Sequence, residues 1–403
     1  MKPQPKIDAS VLPTVLAVSL LVAVMMMGLL SLYELDFLFF TRLQRIRTQK
    51  DNIESLLTLY RYDPTIASRL EADSSLVLYD TLPASRMKFT CSDWGLYEVA
   101  IASSYEGDLY QGQILGLAAP AKDACTLWYR DNNSALTLTG DSNIEGEAWL
   151  PRNGVIYGQM QSVYFKGEKL SPTQIKKSSS TLPAPDKQRS AVVEKLFGLR
   201  PDTFAADSMT VSFRGDGPVV IAAQDNRLSN CYYAGNIVIT GGRIEIARSA
   251  KLRDVIVVGR EVVVEDRFSG AVQIFARDTA RVGKDVVMEY PSGIYSEKNA
   301  SLGDNSLIEG YMVVDCKGDM DKTKANCVKS RTSRLRGLLY VKGIAQLQGT
   351  VAGVAYIDKA TYFSPHGYYE DMLFDASLFG RDEAIYPLWL DAAGKREMIK
   401  WVR

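Results

Sequence analysis

"ARVGKDVVMEY" (Ala280–Tyr290) is followed twenty positions on by "ASLGDNSLIEGY" (Ala300–Tyr311). Each opens with alanine, any residue, an aliphatic residue and glycine, then runs into a short apolar stretch. Extending outward, Ile244, Val262, Val282 and Leu302 occupy similar places at steps of 18, 20 and 20 residues. Between them lie strand-like runs such as "RIEI", "VIVVG" and "VQIFA", divided by glycine, asparagine, aspartate or lysine. A repeat of this length containing only strands implies one coil per repeat, because a single coil cannot bury its apolar face and must stack on its neighbours. On this reading Val282 and Leu302 face inward, and Gly283 and Gly303 turn the chain. The expectation is a right-handed β-helix (solenoid) over 208–380. A β-sandwich is the competing arrangement, since its strands also arrive at short regular intervals.

The same strand-like texture appears earlier. "MKFTC", "GLYEVAIASSY", "CTLWYR" and "ALTLTG" make 63–170 a β-rich region, a place for the first coils. "SPTQIKKSSSTLPAPDKQRS" (Ser171–Ser190) reads as an excursion, so 171–207 is assigned as a linker with a short helix at "AVVEKLFGL". The pattern is lost again over 381–403, where Trp389, Leu390 and Trp401 are suited to cap an open end of the stack.

The N-terminal part obeys a different period. "VLPTVLAVSLLVAVMMMGLLSLY" (Val11–Tyr33) carries no charge and is long enough, at about 1.5 Å per residue, to cross a hydrocarbon core of about 30 Å. No small-residue cleavage site follows it, so 11–33 is read as a retained transmembrane helix behind a leader at 1–10. Leu35, Leu38, Phe39, Leu43, Ile46, Ile53, Leu56, Leu57 and Tyr60 then recur at helical spacing, extending it as an amphipathic helix over 34–62 that Pro64 stops. Their stripe either docks on the chain's own body or packs against other subunits. Leu35, Leu38, Leu43, Ile46, Ile53 and Leu57 are the candidate assembly residues. Lys2 and Lys6 precede the span and Arg42, Arg45, Arg47 and Lys50 follow it, a count that slightly favours a cytoplasmic C-terminal side. The five cysteines point the other way: Cys91 with Cys125, and Cys316 with Cys327, are candidate disulfides with Cys231 left over, as in an oxidising compartment.

Lysine plus arginine equals aspartate plus glutamate, 47 each, so no overall field draws the chain to nucleic acid. The single histidine, His366, lies in a turn-like "SPHGYY" without a nucleophile motif. Asp254, Glu265, Asp266, Asp285, Asp304 and Glu309 fall in turns or at strand edges, where solvated charges are ordinary. "DCKGDMD" (Asp315–Asp321) has the composition of a cation loop without its ligand spacing. No cofactor and no metal is expected, and the chain is read as a non-enzyme. A glycan-active β-helix enzyme is the runner-up.

"MKPQPKIDA", a small residue at Ala9, and an apolar run that continues into an amphipathic helix resemble the start of a type IV pilin-like or pseudopilin-like protein of the atypical minor-subunit type. The resemblance implies cleavage between Ala9 and Ser10, a body outside the inner membrane, and a helix that packs into an assembly. The fifth mature residue is then Thr14 where the family usually has glutamate, and Pro13 is a further departure. The repeating section is similar, by fold analogy, to bactofilin-like β-helices. Together these readings lead to a single-pass inner-membrane protein with a periplasmic body, a structural or assembly component of the cell envelope. Its expected partners are the membrane, other envelope or filament subunits, and glycan. A glycan-binding adhesin is the further alternative.

Overall fold

A computed structural model describes residues 11–66, 76–77, 86–105, 109–119, 125–201, 203–204, 207–215, 217–223, 226–318, 321, 323–365, 367–380, 384–391 and 393–402. Ala9, Ser10, Asp319 and His366 lie outside them. The chain is mainly β behind one long apolar helix, α1 (Val11–Tyr62, 52 residues). A small sheet follows, with β1 (Leu76–Val77), β2 (Arg86–Trp94), β3 (Tyr97–Ser104) and β4 (Tyr110–Leu117) in that order. The C-terminal strand Arg396–Val402 completes it, antiparallel to β4. A second helix, α2 (Lys187–Gly198), begins at Asp186, whose side chain accepts from the Gln188 and Arg189 amides. That cap satisfies two of the donors a helix start leaves open.

The body is a closed set of almost wholly parallel strands. Its register can be followed as one line of residues: Ile221, Ile239, Val257, Ile274, Ile294, Met312, Leu339 and Ala355, each the partner of the next. Parallel partners with like side chains stacked inward give a continuous apolar core, and every residue of that line is fully or almost fully buried. The line does not stop at Ala355. It continues through Leu127, Ala148 and Ile175, residues from far earlier in the chain. The segment 127–177 therefore joins the set beside Ala355, and the short strands at 203–204, 208–211 and 219–222 pair with one another or with the strand Tyr232–Ile246.

Strands such as "VIVV" (Val255–Val258) are apolar on both faces because both are covered. Ile256 and Val258 point outward into a second cluster with Tyr97, Leu196 and Trp389. The outward partners of successive strands form an aromatic-rich line: Phe275, Tyr295, Val313, Tyr340, Tyr356, Trp128 and Trp149. Trp128 and Trp149 stack with ring centroids 4.5 Å apart.

The four residues spaced 18–20 positions apart do not share one line of partners. Ile244 pairs with Val262, and Val262 pairs with Ala280; Val282 pairs with Leu302 and with Val264. The four residues thus belong to two neighbouring inward lines two positions apart. Residues i and i+2 of a strand face the same way, so the apolar pattern alone does not separate them. Asp285 and Asn305 take the left-handed backbone region at the corners, φ 56° in each case. Gly310, Gly337 and Gly353 are register partners with φ of 137°, 132° and 147°. A Cβ on Gly337 would lie 1.9 Å from the Gly310 carbonyl oxygen, so this corner admits only glycine.

The small sheet is keyed to the stack at the β2–β3 turn. Gln273, fully buried, accepts from the Leu96 amide (3.0 Å) and the Tyr311 hydroxyl (2.8 Å) and donates to the Trp94 carbonyl (3.0 Å). The described C-terminal residues pack beside the small sheet and the aromatic line. Trp389 lies on its flank, edge-on to Tyr295 and Tyr340, and Trp401 belongs to the small sheet with its side chain half exposed. A sheet laid along the stack needed covering there, and these residues do it.

Candidate functional site

Every residue of α1 from Val11 to Arg45 is exposed, and burial begins at Gln49. The expected assembly stripe therefore divides. Leu35, Leu38 and Leu43 are exposed and Ile46 is intermediate. Ile53 and Leu57 pack with Leu56, Met87, Ala100, Ala102 and Leu115 of the chain's own sheet, so they are not available to a partner. The periodicity is the same along the whole helix; only the tertiary contact separates the two halves.

The docked half ends in a buried polar junction. Glu98 accepts from the Tyr60 hydroxyl (2.8 Å), from Arg396 (2.5 and 3.3 Å) and from Arg189 of α2 (3.5 Å). Arg189 also donates to Asp93, and Arg61 pairs with Glu397 at 2.6 Å. Tyr60, Glu98, Arg189 and Arg396 are each at most 5% exposed, so α1, α2, the central strand β3 and the C-terminal edge strand share one desolvated charge cluster. Burial opposes the Arg396 charge, but the Glu98 carboxylate beside it raises its pKa above the usual value. Burial and Glu98 together push the Tyr60 hydroxyl far up, and lift the Cys91 thiol to about 12. These groups stay in one protonation state at ordinary pH and serve as a lock. Glu98, Arg189 and Arg396 are distant in sequence, and no motif announces them.

The candidate carboxylates are occupied by structural contacts. Asp254 is paired with Lys400, Glu265 with Arg227, Asp304 with Lys284 and Glu309 with Arg336. Asp266 accepts from the Lys284 amide, and Asp285 accepts from the Asn305 side chain. Glu265, Asp266, Arg227 and Arg281 border a wide groove of about 750 Å³, whose charges already meet one another across successive strands. Asp315 is paired with Lys342, and Asp321 accepts from Thr323 within its own turn. Among the described residues no cluster of histidine, cysteine or carboxylate has the makeup of a metal site.

The cysteine pairing expected from spacing is overturned. None of the five cysteines is joined in a disulfide. Cys91 meets Tyr60 beside α1, whereas Cys125 is buried in the cluster between sheet and stack. Cys327 fills an inward position between Ala300 and Ala345, and Cys316 donates to the Lys298 carbonyl at the surface. Proximity in sequence did not translate into facing side chains, and the cysteines no longer speak for an oxidising compartment. Comparison with protein-family models, with curated proteins and with solved structures finds no match to this chain.

Proposed function

We propose that the chain is a single-pass, membrane-anchored structural component of the cell envelope, a pilin-like minor subunit or scaffold that presents a right-handed β-solenoid outside the inner membrane. The observation that carries this reading is α1 itself. One uninterrupted helix leaves an apolar, membrane-length half uncovered and has its other half locked into the body by the Glu98 cluster. A rigid strut of this kind holds a body at a set height and orientation, which a flexible tether does not. The solenoid reading rests on the parallel register. Consecutive strands repeat at about one coil, and the same pair of strands carries separate inward lines before and after a corner. With its carboxylates engaged in corners and ion pairs, the stack has the character of a surface for recognition. The pilin-like start supports a periplasmic body and processing between Ala9 and Ser10.

Assembly contacts fall to the uncovered helix, Leu35 included, and to the stack. A photoreactive residue at Leu35, in cells that make the chain at natural levels, should form adducts with another envelope protein or a second copy. The same residue at Leu57 should react only within the chain. Adducts at Leu35 with lipid alone would overturn the assembly reading.

A further inference from the structure

The segment between the apolar run and the first buried residue has an order of its own. Phe37, Leu38, Phe39 and Phe40 are consecutive and all exposed, 58–64% each. At about 100° per residue they encircle the helix. Glu34 and Asp36 precede them; next come Arg42, Arg45 and Arg47, then Lys50 just past Gln49, all exposed, with Asp51 directly after. These four also spread around the axis. An aromatic and leucine ring followed by cations over roughly 200° of the circumference is broader than the single face that a partner protein covers. It matches a planar boundary that surrounds the helix.

We propose that this collar seats the protein on anionic phospholipid headgroups, with Phe37–Phe40 at the level of the interface and Arg42, Arg45, Arg47 and Lys50 gathering phosphates around the helix. The inference rests on the membrane reading above and confines the assembly surface of the helix to the part before Phe37. The lengths agree. At about 1.5 Å per residue, Phe37–Phe40 lie roughly 6–10 Å beyond Tyr33, close to the headgroup layer of about 5–8 Å. Arg42 lies roughly 13 Å beyond it, near enough to reach back toward phosphates along its apolar stem, while Arg45, Arg47 and Lys50, roughly 18–25 Å beyond it, act on the anionic surface through a field screened over about 8–10 Å. Aromatic rings favour the interface, and juxtamembrane cations attract anionic lipid. Because burial starts only at Gln49, Phe37–Phe40 and Arg42 lie before the part of the helix that the body covers.

The test uses the full-length chain in nanodiscs of equal parts phosphatidylcholine and phosphatidylglycerol, with native mass spectrometry counting the lipids it retains. Retained phosphatidylglycerol should exceed phosphatidylcholine by about fivefold. Replacing Arg42→Gln, Arg45→Gln, Arg47→Gln and Lys50→Gln together should bring the ratio to parity without changing insertion. The charge-conserving set Arg42→Lys, Arg45→Lys and Arg47→Lys should keep the preference. Equal retention by the natural chain, or an undiminished preference in the glutamine variant, would overturn the proposal while leaving the anchor intact. A chain that does not enter the discs would overturn both.

Discussion

Glu98 is the residue on which the helix junction turns. It is the one carboxylate shared by Tyr60, Arg189 and Arg396, and it is 2% exposed. Its removal leaves the buried Arg189 and Arg396 guanidinium groups without their shared carboxylate, and truncating one partner of such a cluster costs about 3–5 kcal/mol. Glu98→Ala should therefore lower the stability of the detergent-solubilised chain by that amount in chemical denaturation, and loosen α1 from the sheet. A loss under about 1 kcal/mol, the usual value of an exposed pair, would show that the cluster is not desolvated.

A second residue-scale consequence concerns pH. Lys329 takes an inward place between Leu302 and Leu347 and donates to the Ser333 and Gln348 carbonyls at 2.6 and 3.1 Å. Burial pushes it from the ordinary 10.5 down to about 7. Between those values the unfolded chain binds a proton that the folded chain does not, so stability rises with pH across that window, by at most about 1.4 kcal/mol per unit. Below about pH 7 both states are protonated and the penalty is fully present. Denaturation midpoints at pH 7 and at about 8, below the ordinary thiol pKa, should show the stability of the natural chain rising relative to that of Lys329→Met, a variant that carries the same thiols.

At the scale of elements, the stack depends on corners as much as on its apolar lines. Gly337→Ala places a methyl against the Gly310 carbonyl in a backbone region that side chains rarely adopt. It should destabilise by more than the roughly 1 kcal/mol of an ordinary glycine-to-alanine conflict, read as a lower thermal midpoint. Met312→Ala, on a fully buried inward line, should cost about 2–5 kcal/mol. Much of this level was legible from sequence. The helix, the strand-only texture and the twenty-residue echo at Ala280 and Ala300 follow from local periodicity, which strands and helices must obey to bury one face. Three things were not legible. The shift between the Ile244–Val262 line and the Val282–Leu302 line is hidden because both lines face inward. The fate of Ile53 and Leu57 is hidden because a docked stripe and a free stripe have one spacing. The pairing of Ala355 with Leu127 is hidden because it joins residues more than two hundred positions apart, and no local pattern encodes such a closure. The same holds for Glu98 with Arg396.

At the scale of the whole molecule, the stack, the small sheet and the docked half of α1 are fastened by apolar clusters with polar keys at Gln273 and Glu98. The uncovered half of α1 is what remains for lipid and partners. For sidedness, Cys316 is the useful probe, since it is a half-buried free thiol near the surface. A membrane-impermeant thiol reagent applied to spheroplasts should label it, in keeping with a body outside the inner membrane; labelling only after the cytoplasmic face is opened would place the body inside. The anchor itself is tested most directly by extraction of membranes from cells making the full-length chain. The account predicts that the chain stays in the pellet through high salt and alkaline carbonate and leaves it only with detergent. Release by salt or carbonate, or recovery in the soluble fraction, would contradict it.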